Sequence, residues 1–149
     1  MSVNAAFSRD QNFVPIQGLG FTSSKAITFS ALTTGATGAT TLFTVTGAVA
    51  VRLFGVVSGT DVTGTGTIEA GISGNTAALL AQTTGTTLDV GEVWIDTAPA
   101  TIEALPALQI IGAGQDIIQT IAGSTLDAGT LTYYCLWFPI SSDGNVVAA

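Results

Sequence analysis

The segment GTLTYYCLWFPI, residues 129–140, carries a dense aromatic cluster. Aromatic residues make up only 7% of the 149-residue chain, yet Tyr133, Tyr134, Trp137 and Phe138 all fall within this segment. Aromatic and β-branched residues favour extended backbone, and Pro139 removes a ladder donor, so we predict a strand that ends near this proline. Each large ring buries about 150–250 Å², which is too much apolar surface to leave in water.

A strand over this segment is apolar on both faces. Successive side chains of a strand point to opposite sides, which separates Tyr133, Cys135 and Trp137 from Tyr134, Leu136, Phe138 and Ile140. A sandwich strand normally buries one face in the core, so the other face needs a second cover. The alternatives are the N-terminal segment of the same chain and another subunit. We expect a subunit contact at Tyr133, Trp137 and Phe138.

Other short β-branched segments alternate with turns rich in glycine and threonine along the chain: KAITFSAL, TLFTVT, VAVRLFGVV, TIEAGIS, EVWIDT, ALQIIG and DIIQTIAG. This spacing predicts an all-β protein, an antiparallel β-sandwich of about eight or nine strands with a jelly-roll-like arrangement. Gly47 and Ala48 separate two apolar runs, which indicates a tight hairpin. Residues 75–82, NTAALLAQ, fit a helix and a strand equally well.

Two parts of the chain differ in pattern. Residues 1–24 lack sustained periodicity and hold isolated apolar side chains between polar ones, so we interpret them as an extended N-terminal arm. Phe7, Arg9 and Phe13 are its candidate contact residues, and a disordered tail is the alternative. Residues 25–149 are predicted to form a single β-sandwich domain.

The charge content argues for assembly and against nucleic acid. Charged residues make up 9% of the chain, against about 25% in ordinary globular proteins, so neutral side chains must cover most of the surface. Such a surface suits a subunit packed among neighbours, and we predict a homo-oligomer. The net charge of −7, with only three basic residues, repels phosphate backbones.

Catalytic and metal-binding patterns are weak. The chain has no histidine and a single cysteine, Cys135, which we interpret as a buried thiol. Glu92 and Asp96 flank Trp94 in EVWID, but positions four apart on a strand are roughly 13 Å apart, too far for a pair of glycosidase carboxyls. A calcium site using Asp89, Glu92 or Asp96 lacks the usual loop pattern. We predict a solvated acidic edge, no enzymatic activity, no cofactor and no metal.

Targeting signals are also missing from the pattern. The opening MSVNAAFSRDQNF has neither a basic nor an apolar region of a secretory signal. The apolar stretch at residues 49–57 is apolar on both faces, contains Arg52 and is too short to cross a bilayer. Arg52 either pairs with a carboxylate such as Glu69 or reaches solvent. These features predict a soluble protein made in a cytoplasm, without a membrane partner.

Several segments together, in this order, resemble a family of small structural proteins of tailed bacteriophage virions: LFTVTGAVAVRLFGVV, EAGISGNTAALLAQTT, EVWIDTAP and AGTLTYYCLWFPISSDGNVVAA. The resemblance runs from about Ala26 to the C-terminus, and the N-terminal SRDQNFVPIQG also looks like the openings of small phage proteins. It supplies no catalytic residues.

The resemblance implies a virion component, of which capsid decoration (cement) is the expected role. Such a protein would bind the outer surface of the major capsid protein lattice, as a trimer at local symmetry axes, and stabilise the head. Phe7, Arg9, Phe13, Tyr133, Trp137 and Phe138 are then the expected subunit or capsid interface. The alternative is a tail, fibre or head-spike component that binds host-surface carbohydrate around Trp94.

Overall fold

The computed structural model describes residues 20–149 as an almost entirely β structure. The described part of the chain forms ten strands and one 3-10 turn, Gly85–Thr87. The strands are β1 (Phe21–Thr28), β2 (Gly38–Thr46), β3 (Val49–Thr63), β4 (Thr67–Ile72), β5 (Asn75–Thr84), β6 (Val93–Trp94), β7 (Gln109–Ile111), β8 (Ile117–Ala122), β9 (Ala128–Pro139) and β10 (Asn145–Ala148).

Two antiparallel five-stranded sheets pack face to face. The first, here called the β3–β9 sheet, has the order β1-β9-β3-β6, and β7 pairs with the same side of β3 as β6. The second, the β2–β8 sheet, has the order β10-β2-β8-β4-β5. The all-β antiparallel sandwich predicted from sequence is confirmed, while its jelly-roll-like winding stays a prediction.

The centre of the first sheet is the long pairing of β3 with β9. Its register places Leu53 opposite Cys135 and Phe54 opposite Tyr134. Burial alternates over residues 51–57 of β3 and residues 129–135 of β9. Period-2 alternation follows from the pleat, which turns every second side chain toward the other sheet. β9 ends at Pro139, as its missing N–H predicts.

The core lies between the sheets and contains a polar pair. Trp94 and Tyr133 are both fully buried there, with their ring centroids 6.2 Å apart in an edge arrangement. The Tyr133 hydroxyl donates to Oε1 of Gln119 on β8, at 2.8 Å, which joins the two sheets through the core. Buried polar groups are costly unless they are paired, so this bond fixes how the sheets face each other.

The predicted hairpin at Gly47 is wrong. β2 and β3 flank this residue in sequence, but β2 belongs to the β2–β8 sheet and β3 to the β3–β9 sheet. Gly47 has a φ of 62°, and Ser141 Oγ accepts a hydrogen bond from Ala48 N beside it. The chain therefore crosses between sheets at this turn. Apolar runs on either side of a glycine favour strands but do not specify which strand pairs with which.

Two further element boundaries differ from expectation, and one open choice is resolved. Residues 21–24, assigned to the N-terminal arm, form the first half of β1, which pairs with β9 along its whole length. Residues 75–82 belong to the strand β5, which resolves the open choice between helix and strand. EVWIDT contributes only the two residues of β6. Residues 1–19, with most of the predicted arm, lie outside the described part of the chain.

Candidate functional site

The outward face of the β3–β9 sheet presents an apolar surface. Outward side chains from β3, β7 and β9 lie side by side, because Ala50 pairs with both Ile110 and Phe138, and Arg52 pairs with Leu136. We call this surface the outer patch and define it by six residues: Arg52, Phe54, Ile110, Tyr134, Leu136 and Phe138. Ile110 is 70% exposed, while Phe54, Tyr134 and Phe138 are half-buried. Leu136 is 9% exposed and lies between these side chains, so the exposed part of the patch is Ile110 with the edges of the three rings, a combination found in contact surfaces.

Its two central rings stack on each other. Phe54 and Tyr134 are directly opposite in the register, with ring centroids 5.4 Å apart and an interplanar angle of 21°. Cross-strand aromatic pairs of this kind hold one another in place, so the rings form a fixed platform.

Arg52 places a cation inside this apolar surface. Its side chain is half-buried, and its Nε is buried with no hydrogen-bond partner among residues 20–149. The pairing with Glu69 does not form, because Glu69 lies on β4 in the other sheet and accepts hydrogen bonds from Thr76 and Gln82. A guanidinium in an apolar setting favours a carboxylate partner.

The opposite face of the sandwich is polar. The outward residues of the β2–β8 sheet include the exposed Thr44 and Thr46 on β2 and the half-buried Glu69 on β4. Isolated apolar side chains such as Val147, 47% exposed, interrupt it without forming an aromatic cluster. The two faces of the molecule therefore differ in chemistry. The outer patch is the one with clustered aromatic and aliphatic side chains, whose exposure to water is unfavourable.

The prediction of Tyr133 and Trp137 as interface residues is wrong, because both are covered by their own chain. Tyr133 is fully buried in the core, and Trp137 is 8% exposed. The Trp137 ring packs on Phe21 of β1 at a centroid distance of 4.8 Å, and its Nε1 donates to Ser23 Oγ. The inward face of β9 is thus covered within the chain, by the β2–β8 sheet and by β1, and not by another subunit.

Phe138 is the predicted interface residue that does lie on the outer patch. Its ring is half-buried and contacts the start of the described chain at Gly20, where an added Cβ would stand 2.8 Å from Phe138 Cε1. Gly20 has a φ of 71°, so both its conformation and this close approach suit glycine. Phe7, Arg9 and Phe13 lie outside the described residues, and their predicted contacts stay predictions.

The carboxylates around Trp94 organise turns. Glu92 Oε2 accepts a hydrogen bond from Asp89 N, and Asp96 Oδ1 accepts one from Ala98 N. Within residues 20–149, no group of three or more possible ligands is placed to hold a metal ion. Trp94 is fully buried and its Nε1 donates to Ala81 O, so the expected stacking of a sugar on this ring is wrong.

Cys135 is buried in the core, as predicted. Burial raises the pKa of its thiol to about 12, because the thiolate would lose its hydration. A thiol held in its protonated form is a poor nucleophile. Its position between the sheets makes it a packing residue.

Comparison of the chain with models of protein families, with curated proteins and with solved structures found no match. Among the described residues, 20–149, no helix has the length and apolar character that a membrane span requires.

The sequence indicated parts of the outer patch but not their assembly. The two-faced character of residues 49–57 and 129–140 was visible as apolar residues at both odd and even positions. Their pairing as neighbours was not visible, since period-2 patterns carry no partner information. Ile110 was missed because β7 has only three residues and its exposed isoleucine has no distinguishing signal.

Proposed function

We propose that this protein is a non-enzymatic structural component of a virion, which binds the outer surface of the capsid lattice as a decoration protein and stabilises the head. The observation that carries the proposal is the outer patch, an aromatic and aliphatic face opposite a threonine-rich one. Covering such a face with another protein lowers the free energy, because apolar surface leaves water. A role of this kind involves binding and no catalysis. The sequence resemblance supplies the capsid as the setting.

The sandwich provides the rigidity that this role needs. Its core is closed by large buried side chains from both sheets, and Tyr133 with Gln119 ties the sheets together. Ser23 adds a second tie, because it accepts from Trp137 Nε1 and donates to Val146 O of the other sheet. A rigid body holds its contact surface in a constant shape, which reduces the entropy lost on binding.

The proposal is tested by adding purified protein to capsids that lack it. Wild-type protein is expected to bind in a fixed ratio to the major capsid protein and to raise the temperature at which the capsids open. Ile110→Glu places a charge in the outer patch and should lower occupancy at least about tenfold, equivalent to about 1.4 kcal/mol. Val147→Glu, a partly exposed aliphatic residue on the other sheet, is the matched control and should bind normally.

Two results would contradict the proposal. Wild-type protein that neither binds capsids nor changes their heat resistance would remove the capsid role. Equal loss of binding with Ile110→Glu and Val147→Glu would show that the outer patch has no special part in it.

A further inference from the structure

A second uncovered apolar surface lies beside the outer patch, in the connection between β6 and β7. Residues 101–108, here called the apolar loop, expose three aliphatic side chains: Ile102 at 85%, Leu105 at 48% and Leu108 at 44%. β6 and β7 both pair with β3, so the apolar loop leaves and rejoins the same edge of the β3–β9 sheet. Ile102, at 85% exposed, therefore does not pack on the outer patch of its own chain.

The two surfaces carry opposite charges. Arg52 is the cation of the outer patch, with a buried Nε that has no partner among residues 20–149. Glu103 lies in the apolar loop next to Ile102, where it is half-buried and supplies the loop's carboxylate. The apolar loop and the outer patch are therefore complementary in two properties. The aliphatic side chains of the loop can pack on the aromatic rings of the patch, and the Glu103 carboxylate can pair with the Arg52 guanidinium.

Contact between two identical outer patches is disfavoured. It would place two Arg52 guanidinium groups in one apolar interface, where like charges are poorly screened and lack water. It would also leave the apolar loops of both copies exposed. Contact between a loop and a patch covers both surfaces at once and supplies the carboxylate that Arg52 lacks.

We propose that the apolar loop of one copy docks on the outer patch of a second copy, with Glu103 pairing with Arg52. This inference rests on the proposed function and assigns the outer patch to the contact between copies, so that the assembled copies bind the capsid together. The contact is heterologous, since it uses two different surfaces. Repeated from copy to copy, such a contact closes into a ring when its rotation allows, and a threefold ring would account for the expected trimer.

The test is a charge exchange, read by sedimentation of the full-length protein without capsids. Arg52→Glu and Glu103→Arg should each weaken self-association at least about tenfold, and the double variant should recover most of the loss. Asp89→Arg makes the same charge change at an exposed residue outside both surfaces, and should associate like wild type. Arg52→Glu changes a half-buried strand residue and can misfold. Glu103→Arg changes a loop residue, so it tests the contact even in that case.

Several outcomes would overturn the inference. They are a wild-type protein that stays monomeric at high concentration, single variants that associate normally, and a double variant that is no better than the singles. Loss of self-association on deleting residues 1–19, with Glu103→Arg unaffected, would assign the patch to that N-terminal segment instead.

The capsid experiment separates this inference from the proposed function. If Glu103→Arg self-associates like wild type while the wild-type protein still decorates capsids, the decoration role stands and the contact between copies is rejected. If the wild-type protein self-associates and Glu103→Arg does not, but the wild-type protein fails to bind capsids, the contact between copies stands and the decoration role is rejected.

Discussion

Tyr133 shows how one side chain can serve two kinds of interaction in this core. Its ring packs edge-on against Trp94, and its hydroxyl donates to Gln119 across the sheets. Gln119 is fully buried, and its Nε2 has no partner among the described residues. Among residues 20–149, the hydrogen bond from the Tyr133 hydroxyl to Gln119 Oε1 is therefore the contact that offsets the cost of burying this amide.

We predict that Tyr133→Phe lowers the free energy of unfolding by about 1–3 kcal/mol, because it leaves Gln119 buried with its carbonyl oxygen unpaired. Tyr134→Phe is the matched control: this half-buried neighbour makes no side-chain hydrogen bond within residues 20–149, and its loss should be about 0.5 kcal/mol or less. Denaturant unfolding of both variants measures the difference. Equal losses would show that the hydroxyl contact contributes nothing.

Cys135 and Tyr133 predict a loss of stability at alkaline pH. Burial raises the pKa of Cys135 to about 12 and raises that of Tyr133 well above its usual range. The folded state therefore binds these protons more tightly than the unfolded state, in which a thiol has a pKa of about 8.5. The resulting stabilisation is complete below about pH 8.5 and is lost as the pH rises toward 12.

The measurement is the free energy of unfolding at about pH 8 and about pH 11. The thiol should contribute up to about 3 kcal/mol of the decrease in the wild-type protein. Cys135→Ala removes this titration, so the variant starts from a lower stability but should lose less over the same interval. A parallel decrease in both proteins would contradict the assignment.

At the scale of elements, β1 is the strand that completes the sandwich. It covers Trp137 through Phe21 and Ser23, and it reaches the other sheet through two side chains. Ser23 Oγ donates to Val146 O, and Lys25 Nζ donates to the main-chain oxygens of Thr41 and Ala149. These bonds close one side of the space between the sheets.

We predict that Ser23→Ala destabilises the fold by about 1–3 kcal/mol, because it removes the partner of the Trp137 indole and the donor to Val146 O. Ser24→Ala is the control, on the outward and exposed side of the same strand, and should change stability by about 0.5 kcal/mol or less. Thermal unfolding followed by tryptophan fluorescence measures both. A Ser23 variant as stable as the Ser24 variant would rule out this closing role.

Element type was predictable where a period-2 pattern is long, and element pairing was not. The faces of β9 follow from alternation, and the buried set Tyr133, Cys135 and Trp137 is the one that the sequence grouped together. β1 was placed too late because FTSS carries little apolar signal at a sheet edge. The outer patch depends on β3 lying beside β9, which is set by contacts distant in sequence.

At the scale of the whole molecule, the predicted role divides between the sandwich and the N-terminal residues. We expect deletion of residues 1–19 to leave the far-ultraviolet circular dichroism and the unfolding transition almost unchanged, since the described strands and core lie within residues 20–149. The same deletion should abolish attachment to capsids, where Phe7, Arg9 and Phe13 are the expected contacts. Attachment that survives the deletion would reject this role for the arm.

The position of β1 also sets how mechanical tension enters the molecule. Its register with β9 extends from Phe21 opposite Trp137 to Thr28 opposite Thr130. A pull along the strand axis strains all of these pairs together in shear, whereas a pull across the sheet peels them apart in turn from Phe21. A tether through residues 1–19 would thus be strongest in one direction, so a swelling shell would be restrained best when it stretches parallel to β1.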